Sequence, residues 1–487
     1  MDSGRVFDLV IRGAMLFDGS GAPARAADLG VVGDRIAAIG EFAHAEAAET
    51  IEAAGLALAP GFIDSHAHDD RALLESSGLE PKLSQGVTTV VTGNCGLSLA
   101  PLCLDAPPPP PLDLLGPPEW FRFESFAAYA AAVDAARPLV NAAALIGHTT
   151  LRLAAMPRLD RPADAAEIAA MRRALGQALA QGAFGFSTGL AYAPAKPAPA
   201  SEVEALLAPV AAAGGVYATH LRSEGDGVED ALAESFASAG AAGVKLVISH
   251  HKCAGRANWG RSVRTLARIA EAQARQEVGL DVYPYTASST SLDEDMAERA
   301  PRTIVPWSRP HPHAAGRELA AIAAEWGLDA RAAAKRLMPG GAVYFIMDEA
   351  DVRRILAFPD TMIGSDGLPH DAHPHPRLWG AFARVLGHYA RVVGLFPLAE
   401  AVRRMTSLPA GRFGLADRGR LTPRLAADLV LFDPDAIDAR ASYEQPRQAA
   451  AGVKLVVVNG AIAWRDGAAT GARAGRMLRR PPPPRAA

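Results

Sequence analysis

The chain has 487 residues, of which 49% are hydrophobic and 21% are charged, with a formal net charge of −4. The charges are of both signs and form no basic block, so the sequence does not predict binding to nucleic acid or to an anionic membrane. No apolar run is long enough to cross a bilayer, and residues 1–6 contain no apolar signal core. We therefore expect a cytoplasmic protein with one large domain and an accessory domain.

The cysteines are few and odd in number, namely Cys95, Cys103 and Cys253. Such a set in a long chain argues against a disulfide framework. A free cysteine is most often a small buried residue. Cys95 is the exception, because it directly follows a predicted strand.

Short β-rich runs lie at both ends of the chain. Residues 29–40 contain two such runs around a Gly-Asp turn, which indicates a hairpin. Residues 453–464 show the same pattern around an Asn-Gly turn. Neither end is long enough to make a comfortable sheet core alone. We predict one small β-sandwich domain built from residues 1–58 and 415–487.

Between these ends, short apolar strands alternate with helical stretches. Strands are predicted at 59–65, 87–92, 139–146, 183–187, 216–219, 245–249, 278–283 and 361–365. Eight strand–helix units fit a (β/α)8 barrel of the TIM type over residues 59–414. An open doubly wound sheet is the alternative, but no Gly-rich phosphate loop follows the first strand.

Three local features interrupt or punctuate this alternation. Ser201 and Glu204 have the spacing of a capping box, which predicts a helix start there. The segment at about 286–350 is longer than a strand–helix link requires, and we predict an insertion that folds over the barrel mouth. The proline runs at 107–111 and 481–484 are predicted to be stiff spacers, with no packing role that the sequence assigns.

Residues able to bind metal follow many of the predicted strands. In a (β/α)8 barrel the carboxyl ends of the strands surround one mouth, which carries the catalytic groups. An isolated His-x-His is more often structural than a ligand pair, yet side chains two apart on a strand do point the same way. Six such residues converging on one mouth favour a metal site over unrelated core residues; they are His66, His68, Cys95, His220, His250 and Asp366.

Imidazole and thiolate ligands suit zinc best, with iron or nickel as alternatives. Cys95, His220 and His250 make a three-ligand set. Such a set leaves one position for a water whose pKa is lowered towards neutrality. His66 and His68 then form a second, weaker site, or they simply bound the metal pocket.

Polar side chains near the same strand ends are candidates for substrate chemistry. Asp366 is placed to carry a proton from the attacking water to a leaving nitrogen, although it could also be a further metal ligand. Lys252 and Arg377 are candidates for holding a substrate carboxylate, with surface solvation as the alternative for the lysine. Tyr283 could donate a hydrogen bond to the same carboxylate or to an oxyanion.

These motifs resemble a known family. Residues 60–68 resemble the first-strand signature of the amidohydrolase superfamily. Four further segments, at 92–96, 219–222, 249–252 and 364–367, narrow the resemblance to the N-acyl-D-amino-acid deacylases, the D-aminoacylase family. The resemblance covers nearly the whole chain, including the closing hairpin.

The resemblance implies a zinc enzyme that hydrolyses an N-acyl-D-amino acid to a carboxylate and a free D-amino acid. It implies that Cys95, His220 and His250 hold a tightly bound Zn²⁺, and that a second metal at His66 and His68 is weak or absent. It gives Asp366 the acid/base role. The substrate carboxylate is assigned to Lys252, Tyr283 and Arg377.

Many superfamily members bridge two metals with a carboxylated lysine on the fourth strand. Here residues 184–188 contain no lysine, and Lys196 lies too far beyond them. This departure fits the branch in which a cysteine takes the place of the lysine. It argues against a fully occupied two-metal site.

Relatives line the side-chain pocket from the loop after the fourth strand and from the insertion. The predicted pocket residues are mainly apolar, with no arginine placed to hold an acidic side chain. The sequence thus favours a hydrophobic or broad range of D-amino acids; the residues are Ala191, Tyr192, Ser289, Met296, Tyr344 and Met347.

Two other functions remain as alternatives. One is a different amidohydrolase reaction, such as cyclic-amide hydrolysis or deamination, which usually shows the fourth-strand lysine or a nucleobase pocket. The other is a barrel scaffold without metal or catalysis, which is expected to lose ligands, whereas this chain retains every candidate. The predicted partner is a small-molecule substrate, and the sequence gives no oligomeric state.

Overall fold

The computed structural model describes residues 7–42, 45–75 and 78–481. The proline run at 481–484 lies outside these ranges except for Pro481. None of the helices within them is long and apolar enough to cross a membrane.

The strands divide between a barrel, a terminal sheet and an insertion. In chain order they are β1 (Phe7–Leu16), β2 (Arg25–Val32), β3 (Arg35–Gly40), β4 (Ala47–Glu52), β5 (Ala57–Pro60), β6 (Phe62–Asp64), β7 (Val87–Thr92), β8 (Leu102–Cys103), β9 (Arg122–Phe123), β10 (Asn141–Gly147), β11 (Gly185–Gly189), β12 (Val216–His220), β13 (Lys245–Ile248), β14 (Val278–Val282), β15 (Ala287–Ser291), β16 (Thr303–Val305), β17 (Arg317–Glu318), β18 (Gly341–Phe345), β19 (Thr361–Ile363), β20 (Leu429–Phe432), β21 (Val453–Val458), β22 (Ala461–Arg465) and β23 (Ala468–Ala469).

The helices lie mostly between the barrel strands. In chain order they are α1 (Glu80–Leu83), α2 (Phe126–Ala136), α3 (His148–Ala155), α4 (Ala165–Ala180), α5 (Ala200–Ala213), α6 (Val228–Ala242), α7 (Ser262–Gln273), α8 (Glu294–Arg299), α9 (Leu319–Trp326), α10 (Ala330–Leu337), α11 (Glu349–Ala357), α12 (Arg377–Arg384), α13 (Leu398–Met405) and α14 (Ser407–Phe413), and a π-helical segment over Val385–Val392 continues α12.

The central sheet is a parallel barrel. In the described part of the chain it has eight strands in the ring order β6, β7, β10, β11, β12, β13, β14 and β19. A bridge between Ala67 and Gly367 brings the last strand back to the first, and the Ser65 amide donates to the Ile363 carbonyl at 3.3 Å. The predicted (β/α)8 barrel is confirmed. The open doubly wound alternative is wrong, because its first and last strands would not meet.

The barrel strands are buried on both faces. Every residue of β7, β10, β11 and β14 is buried, as expected for parallel strands covered by helices outside and by side chains inside. This explains why the sequence shows continuous apolar runs here. It also means that a polar side chain on or just after a barrel strand needs a partner or a function.

Strands from both ends of the chain form one continuous sheet. Among the described residues it has nine strands in the order β23, β22, β21, β20, β5, β1, β2 and β3, with β4 paired to β1. Side chains from both ends, such as Leu9, Leu29 and Val457, pack into one apolar core. The predicted hairpins β2–β3 and β21–β22 both form. The domain limits of 1–58, 59–414 and 415–487 stay a proposal, and β5 extends the terminal sheet to Pro60.

The predicted capping box at Ser201 and Glu204 is wrong. Helix α5 begins at Ala200 after Pro199, and no side chain caps it. The proline sets the helix start two residues earlier than the serine would, and the Glu204 carboxylate instead accepts a hydrogen bond from Ser238. The preceding helix α4 carries the capping box, between Asp164 and Glu167.

The insertion is a small domain between β14 and α11. It contains an antiparallel sheet that, in the described residues, has four strands in the order β15, β18, β16 and β17, together with helices α8 to α10. Its first strand lines the cavity at the barrel mouth, as the predicted insertion over the mouth requires. Pro110 and Pro111 line the same cavity, so the proline run has a place there that the sequence did not assign.

Candidate active site

Three imidazoles converge around the Cys95 thiol. The Sγ atom lies 3.2 Å from Nε2 of His66, 3.2 Å from Nε2 of His250 and 3.7 Å from Nδ1 of His220. Ligands of a tetrahedral zinc with bonds of roughly 2.1 Å to nitrogen and 2.3 Å to sulfur are about 3.6 Å apart. The donor set therefore has the chemistry and the spacing of a zinc site.

The donors form two overlapping groups. Within 4.8 Å of one another lie donor atoms of His66, Cys95, His250 and Asp366, and a second such group joins His220 and His250 to Glu224. His250 belongs to both groups. His66 is as near to Cys95 as His250 is, so the spacing alone does not separate a main ligand set from His66.

The buried imidazoles are neutral and therefore able to bind a cation. Burial lowers the pKa of His66 and of His220 to about 3. Burial, together with the Lys252 ammonium, also lowers the pKa of His250. Burial raises the pKa of the Cys95 thiol well above 9.0, and Asp366 adds to the effect. A coordinated cation deprotonates such a thiol outright.

Three of these residues have a backbone conformation that is rare for residues other than glycine. Cys95, His250 and Asp366 have φ values of 55°, 34° and 49°. Each follows the end of a barrel strand, at β7, β13 and β19. Such a left-handed residue costs about 1–3 kcal/mol and is typical of functional sites. This strained conformation turns the three side chains into one pocket.

Asp366 lies between the histidine pair and Arg377. Its Oδ1 is 3.1 Å from Nε2 of His68 and 3.6 Å from Nε2 of His66, and its Oδ2 is 2.8 Å from Nη1 of Arg377. Burial alone would raise the pKa of Asp366, but Arg377 and His68 outweigh it and hold the pKa well below 3.8. The carboxylate is therefore ionised and able to accept a proton.

Glu224 is a site residue that the sequence reasoning missed. Its Oε1 accepts from Nζ of Lys252 at 2.6 Å and lies 3.0 Å from Nδ1 of His250. Burial would raise the pKa of Glu224, but Lys252, His220 and His250 hold it well below 4.5. The available signal was the spacing, because Glu224 follows His220 by four residues.

Asp281 was recognised only as part of a strand. Its Oδ1 accepts from the His250 amide at 2.8 Å and lies 3.4 Å from Nδ1 of His66. Burial raises the pKa of Asp281 to about 7. A carboxylate inside an otherwise apolar barrel strand was the signal. Asp281 thus holds the backbone of His250 and lies beside the His66 ring, the position of carboxylates behind metal-binding histidines.

The three residues predicted to hold a substrate carboxylate lie together. The Arg377 guanidinium lies 4.5 Å from the centre of the Tyr283 ring, and Nζ of Lys252 lies 5.7 Å from it. The nearest partner of the Tyr283 hydroxyl is the sulfur of Met347 at 3.9 Å, which is a weak acceptor. Arg377 also donates to the Ser289 carbonyl at 3.0 Å.

A cavity of about 490 Å³ opens beside these groups. Its volume suits a small organic ligand. The predicted residues that line it are His68, Ala191, Tyr192, His220, His250, Lys252, Tyr283, Ser289, Met296 and Asp366. Tyr344 is not on its wall; the hydroxyl accepts from the Asp293 amide at 2.8 Å and so supports the wall from behind. Met347 likewise packs behind Tyr283.

The cavity also has an apolar lining that the sequence analysis did not predict. Leu97, Pro110, Pro111, Leu114 and Leu368 contribute to it. Among the described residues that line the cavity, Lys252 is the only lysine or arginine.

The fold and this site can be compared with known proteins. The model of the amidohydrolase family matches residues 49–262 and 317–463. The chain belongs to the amidohydrolase family. It is 54% identical over 474 residues to a D-aminoacylase from Alcaligenes xylosoxydans xylosoxydans, a match that covers 97% of this chain and 98% of the relative. The resemblance to the D-aminoacylases is confirmed, and the chain is a hydrolase of that group.

Two solved structures extend this comparison. A D-aminoacylase described as having a binuclear metal centre is 53% identical, with a TM-score of 0.95, covering 97% of this chain and all of the other. An N-acyl-D-glutamate deacylase from Bordetella bronchiseptica, complexed with zinc and a phosphonate mimic of the tetrahedral intermediate, is 50% identical with a TM-score of 0.95. That match covers 98% of this chain and all of the other.

Proposed function

We propose that this protein hydrolyses N-acyl-D-amino acids to a carboxylate and a free D-amino acid with the help of bound zinc. One observation carries the proposal: Cys95 lies within 3.7 Å of three imidazoles at the end of a cavity that also presents an ionised aspartate and a lysine, with Arg377 buried behind the aspartate. The family membership supports the same reaction.

In this proposal Cys95, His220 and His250 hold one zinc ion tightly, and a second ion near His66 and His68 is weak or absent. When bound, zinc polarises the amide carbonyl and lowers the pKa of a water molecule. Asp281 and Glu224 keep the imidazole rings oriented from behind. A second ion, if bound, would be held by His66, which lies 3.2 Å from Cys95, and by His68.

Asp366 acts as the proton carrier. Its carboxylate, held ionised by Arg377 and His68, takes the proton of the attacking water. It then returns that proton to the departing amine nitrogen, which would otherwise leave as an unstable anion. The rare backbone conformation at Asp366 holds the carboxylate at the end of the cavity.

The substrate carboxylate is held by Lys252, Arg377 and the Tyr283 hydroxyl. Both cations already have a carboxylate partner, Glu224 for Lys252 and Asp366 for Arg377. A free carboxylate therefore enters a region of nearly balanced charge, and its orientation depends on several hydrogen bonds at once. This arrangement selects a substrate that has a carboxylate next to the amide.

The amino-acid side chain is expected to be hydrophobic or of broad type. Tyr192, Leu292, Met296 and Ile346 line the side of the cavity formed by the insertion and the loop after β11. None of the described residues on this side is an arginine or lysine that would pair with an acidic side chain. The group also contains a protein named as an N-acyl-D-glutamate deacylase.

The alternatives have less support. Strand β11 contains no lysine to bridge two metals, whereas the amidohydrolases of cyclic amides and the deaminases usually carry one there or show a nucleobase pocket. A non-catalytic scaffold does not account for three strained backbones that turn metal donors and a carboxylate into one pocket.

A substrate screen tests the proposal. The purified enzyme is stripped with a chelator, reloaded with Zn²⁺, and assayed with N-acetyl-D-methionine, N-acetyl-L-methionine, N-acetyl-D-glutamate and dihydrouracil. We expect hydrolysis of N-acetyl-D-methionine only with metal, and little of the L-isomer. Hydrolysis of dihydrouracil alone, or activity that survives complete metal removal, would overturn the proposal.

A further inference from the structure

The loop after β7 places an apolar surface on the cavity. We name this surface the β7-loop wall; it consists of Leu97, Pro110, Pro111 and Leu114. Leu97 and Pro111 are buried, Leu114 is half-buried, and Pro110 is exposed. Asp113, the charged residue beside Leu114, is absent from the described cavity lining. The side chains of the β7-loop wall are therefore all hydrocarbon.

The ring order of the barrel locates this wall relative to the carboxylate-binding residues. Counting from β6, strand β7 is second in the ring, and β13, β14 and β19 are sixth to eighth. In a closed ring of eight, the sixth strand faces the second. Leu97 follows Cys95 by two residues, and Lys252 follows His250 by two, so these two residues belong to loops that leave from facing strands.

A second apolar surface adjoins the carboxylate-binding residues. Tyr192 and the insertion meet where the Tyr192 hydroxyl lies 3.4 Å from Oγ1 of Thr290. The same strand, β15, is tied to Arg377 through the Ser289 carbonyl at 3.0 Å. We name this surface, with Leu292, Met296 and Ile346, the insertion wall. It belongs to the same side of the mouth as Arg377 and Tyr283.

The covalent structure of an N-acyl-D-amino acid decides which wall each group meets. The carboxylate and the side chain branch from the same carbon, on the nitrogen side of the scissile bond. The acyl chain leaves the carbonyl carbon on the other side. With the carbonyl carbon at the metal donors and the carboxylate at Lys252 and Arg377, the side chain meets the insertion wall. The acyl chain then points towards the β7-loop wall.

We propose that the β7-loop wall binds the acyl chain, and that the enzyme prefers N-acyl-D-amino acids with an aliphatic acyl chain of several carbons over the N-acetyl compounds. This inference rests on the proposed function and adds the acyl class to it. An acetyl methyl group would leave most of this apolar surface in contact with water. Each further methylene placed against it removes apolar area from water.

An acyl series on one amino acid tests this assignment. The zinc-loaded enzyme is assayed with N-acetyl-, N-butyryl- and N-hexanoyl-D-methionine. We expect kcat/KM to rise about threefold for each added methylene, as for a methylene that is largely buried. Leu114 is half-buried. In Leu114→Gln we expect the gain in kcat/KM from two added methylenes to be at least threefold smaller than in the native enzyme, with the melting temperature unchanged.

Met296→Gln is the matched control, because Met296 is an apolar residue of the insertion wall that is also only partly buried. It should alter the preference between N-acetyl-D-methionine and N-acetyl-D-alanine while keeping the dependence on acyl length. A length dependence that is lost in Met296→Gln and kept in Leu114→Gln would reverse the two walls and overturn the assignment.

The same experiment separates failure of this inference from failure of the proposed function. Hydrolysis of N-acetyl-D-methionine with no gain from longer chains overturns the acyl assignment alone. Absence of hydrolysis for every N-acyl-D-methionine in the series overturns both. A length dependence equal in the D- and L-series would also contradict the acyl assignment, because it would show that the chain binds without the carboxylate and side chain being placed.

Discussion

The Arg377 guanidinium contacts the Asp366 carboxylate at 2.8 Å and stacks on the Tyr283 ring at 4.5 Å. One arginine thus touches both the proposed proton carrier and the proposed carboxylate site. Its backbone amide donates to Nδ1 of His375 at 2.9 Å, and Nε2 of His375 in turn donates to the Ala287 carbonyl. Arg377 is therefore held rigidly between the last barrel strand and the insertion.

Replacing Asp366 with asparagine should nearly abolish turnover and leave the metal content largely unchanged. The amide cannot accept the proton of the attacking water, and proton transfer by a positioned side chain is worth roughly 10²–10⁴-fold in rate. The Cys95 and histidine donors stay in place. Steady-state kcat and the metal content by elemental analysis check both parts.

Asp371→Asn is the matched control, because Asp371 is a buried carboxylate on the same loop and is not among the described residues of the cavity wall. It should keep most of the activity. Equal losses in the two variants would mean that the loop, and not the carboxylate of Asp366, is what the substitution damages.

Replacing Arg377 with methionine should move the acid limb of the pH profile. In the native enzyme Arg377 helps to hold the pKa of Asp366 well below 3.8 against the effect of burial. Without the guanidinium the pKa rises, so the ionised base is lost at a higher pH, and the acid limb of kcat/KM shifts upward. KM should also rise, because a carboxylate-binding group is removed.

Arg384→Met serves as the comparison. Arg384 lies on the same helix α12, but its Nε donates to the Pro284 carbonyl and its guanidinium lies over Tyr285. Its pH profile should match that of the native enzyme. If the acid limb does not move in Arg377→Met, the group whose ionisation governs activity is not Asp366.

The metal donors could be predicted because a barrel gathers the ends of distant strands. Cys95, His220 and His250 are far apart in the chain, yet each lies at or just after the end of a buried barrel strand, and the fold brings those ends together. Glu224 and Asp281 were not predicted, because a carboxylate acquires its role from which histidine happens to face it. Local patterns mark both residues as candidates, but the histidine that each one contacts depends on loop conformation and ring order.

Local signals failed where a tertiary contact or a proline overrode them. Ser201 and Glu204 have the spacing of a capping box, but the helix starts earlier, directly after Pro199. The Glu204 carboxylate instead accepts a hydrogen bond from Ser238. The proline run before Leu112 gave no sign of facing a cavity, because a proline-rich segment has the same composition whether it spaces domains or covers an active site.

Replacing Glu224 with glutamine should weaken metal binding. Its carboxylate contacts Nδ1 of His250 and neutralises Lys252. Loss of an outer carboxylate behind a metal ligand typically costs 10–100-fold in affinity, and here it also leaves the Lys252 ammonium unopposed beside the site. Competition with a zinc indicator measures the change.

Glu234→Gln is the matched variant for this measurement. Glu234 is a partly buried carboxylate that pairs with Arg222 at 2.8 Å, outside the described cavity lining. We expect its metal affinity to equal that of the native enzyme. If the two variants bound zinc equally well, Glu224 would not support metal binding, and its role would be only to neutralise the Lys252 ammonium.

Lys82 holds the first and last barrel strands together behind the metal donors. Its Nζ lies 2.7 Å from Oδ2 of Asp64, 3.2 Å from Oδ2 of Asp69 and 2.7 Å from Oγ of Ser365. Asp64 ends β6, and Ser365 directly precedes Asp366. The Lys82 side chain is 1% exposed, so the ammonium neutralises carboxylates that water cannot reach.

Replacing Lys82 with methionine should therefore lower the free energy of unfolding by about 3–5 kcal/mol, since removing one partner leaves buried charge without compensation. Lys245→Met is the control: Lys245 pairs with Glu277 at 3.5 Å, and both side chains are substantially exposed, so the loss should stay within about 1 kcal/mol. Urea denaturation of the metal-free proteins gives both values. Equal losses would show that the Lys82 network contributes no more than a surface ion pair, and that hydrogen bonds of the strand backbones alone close the barrel.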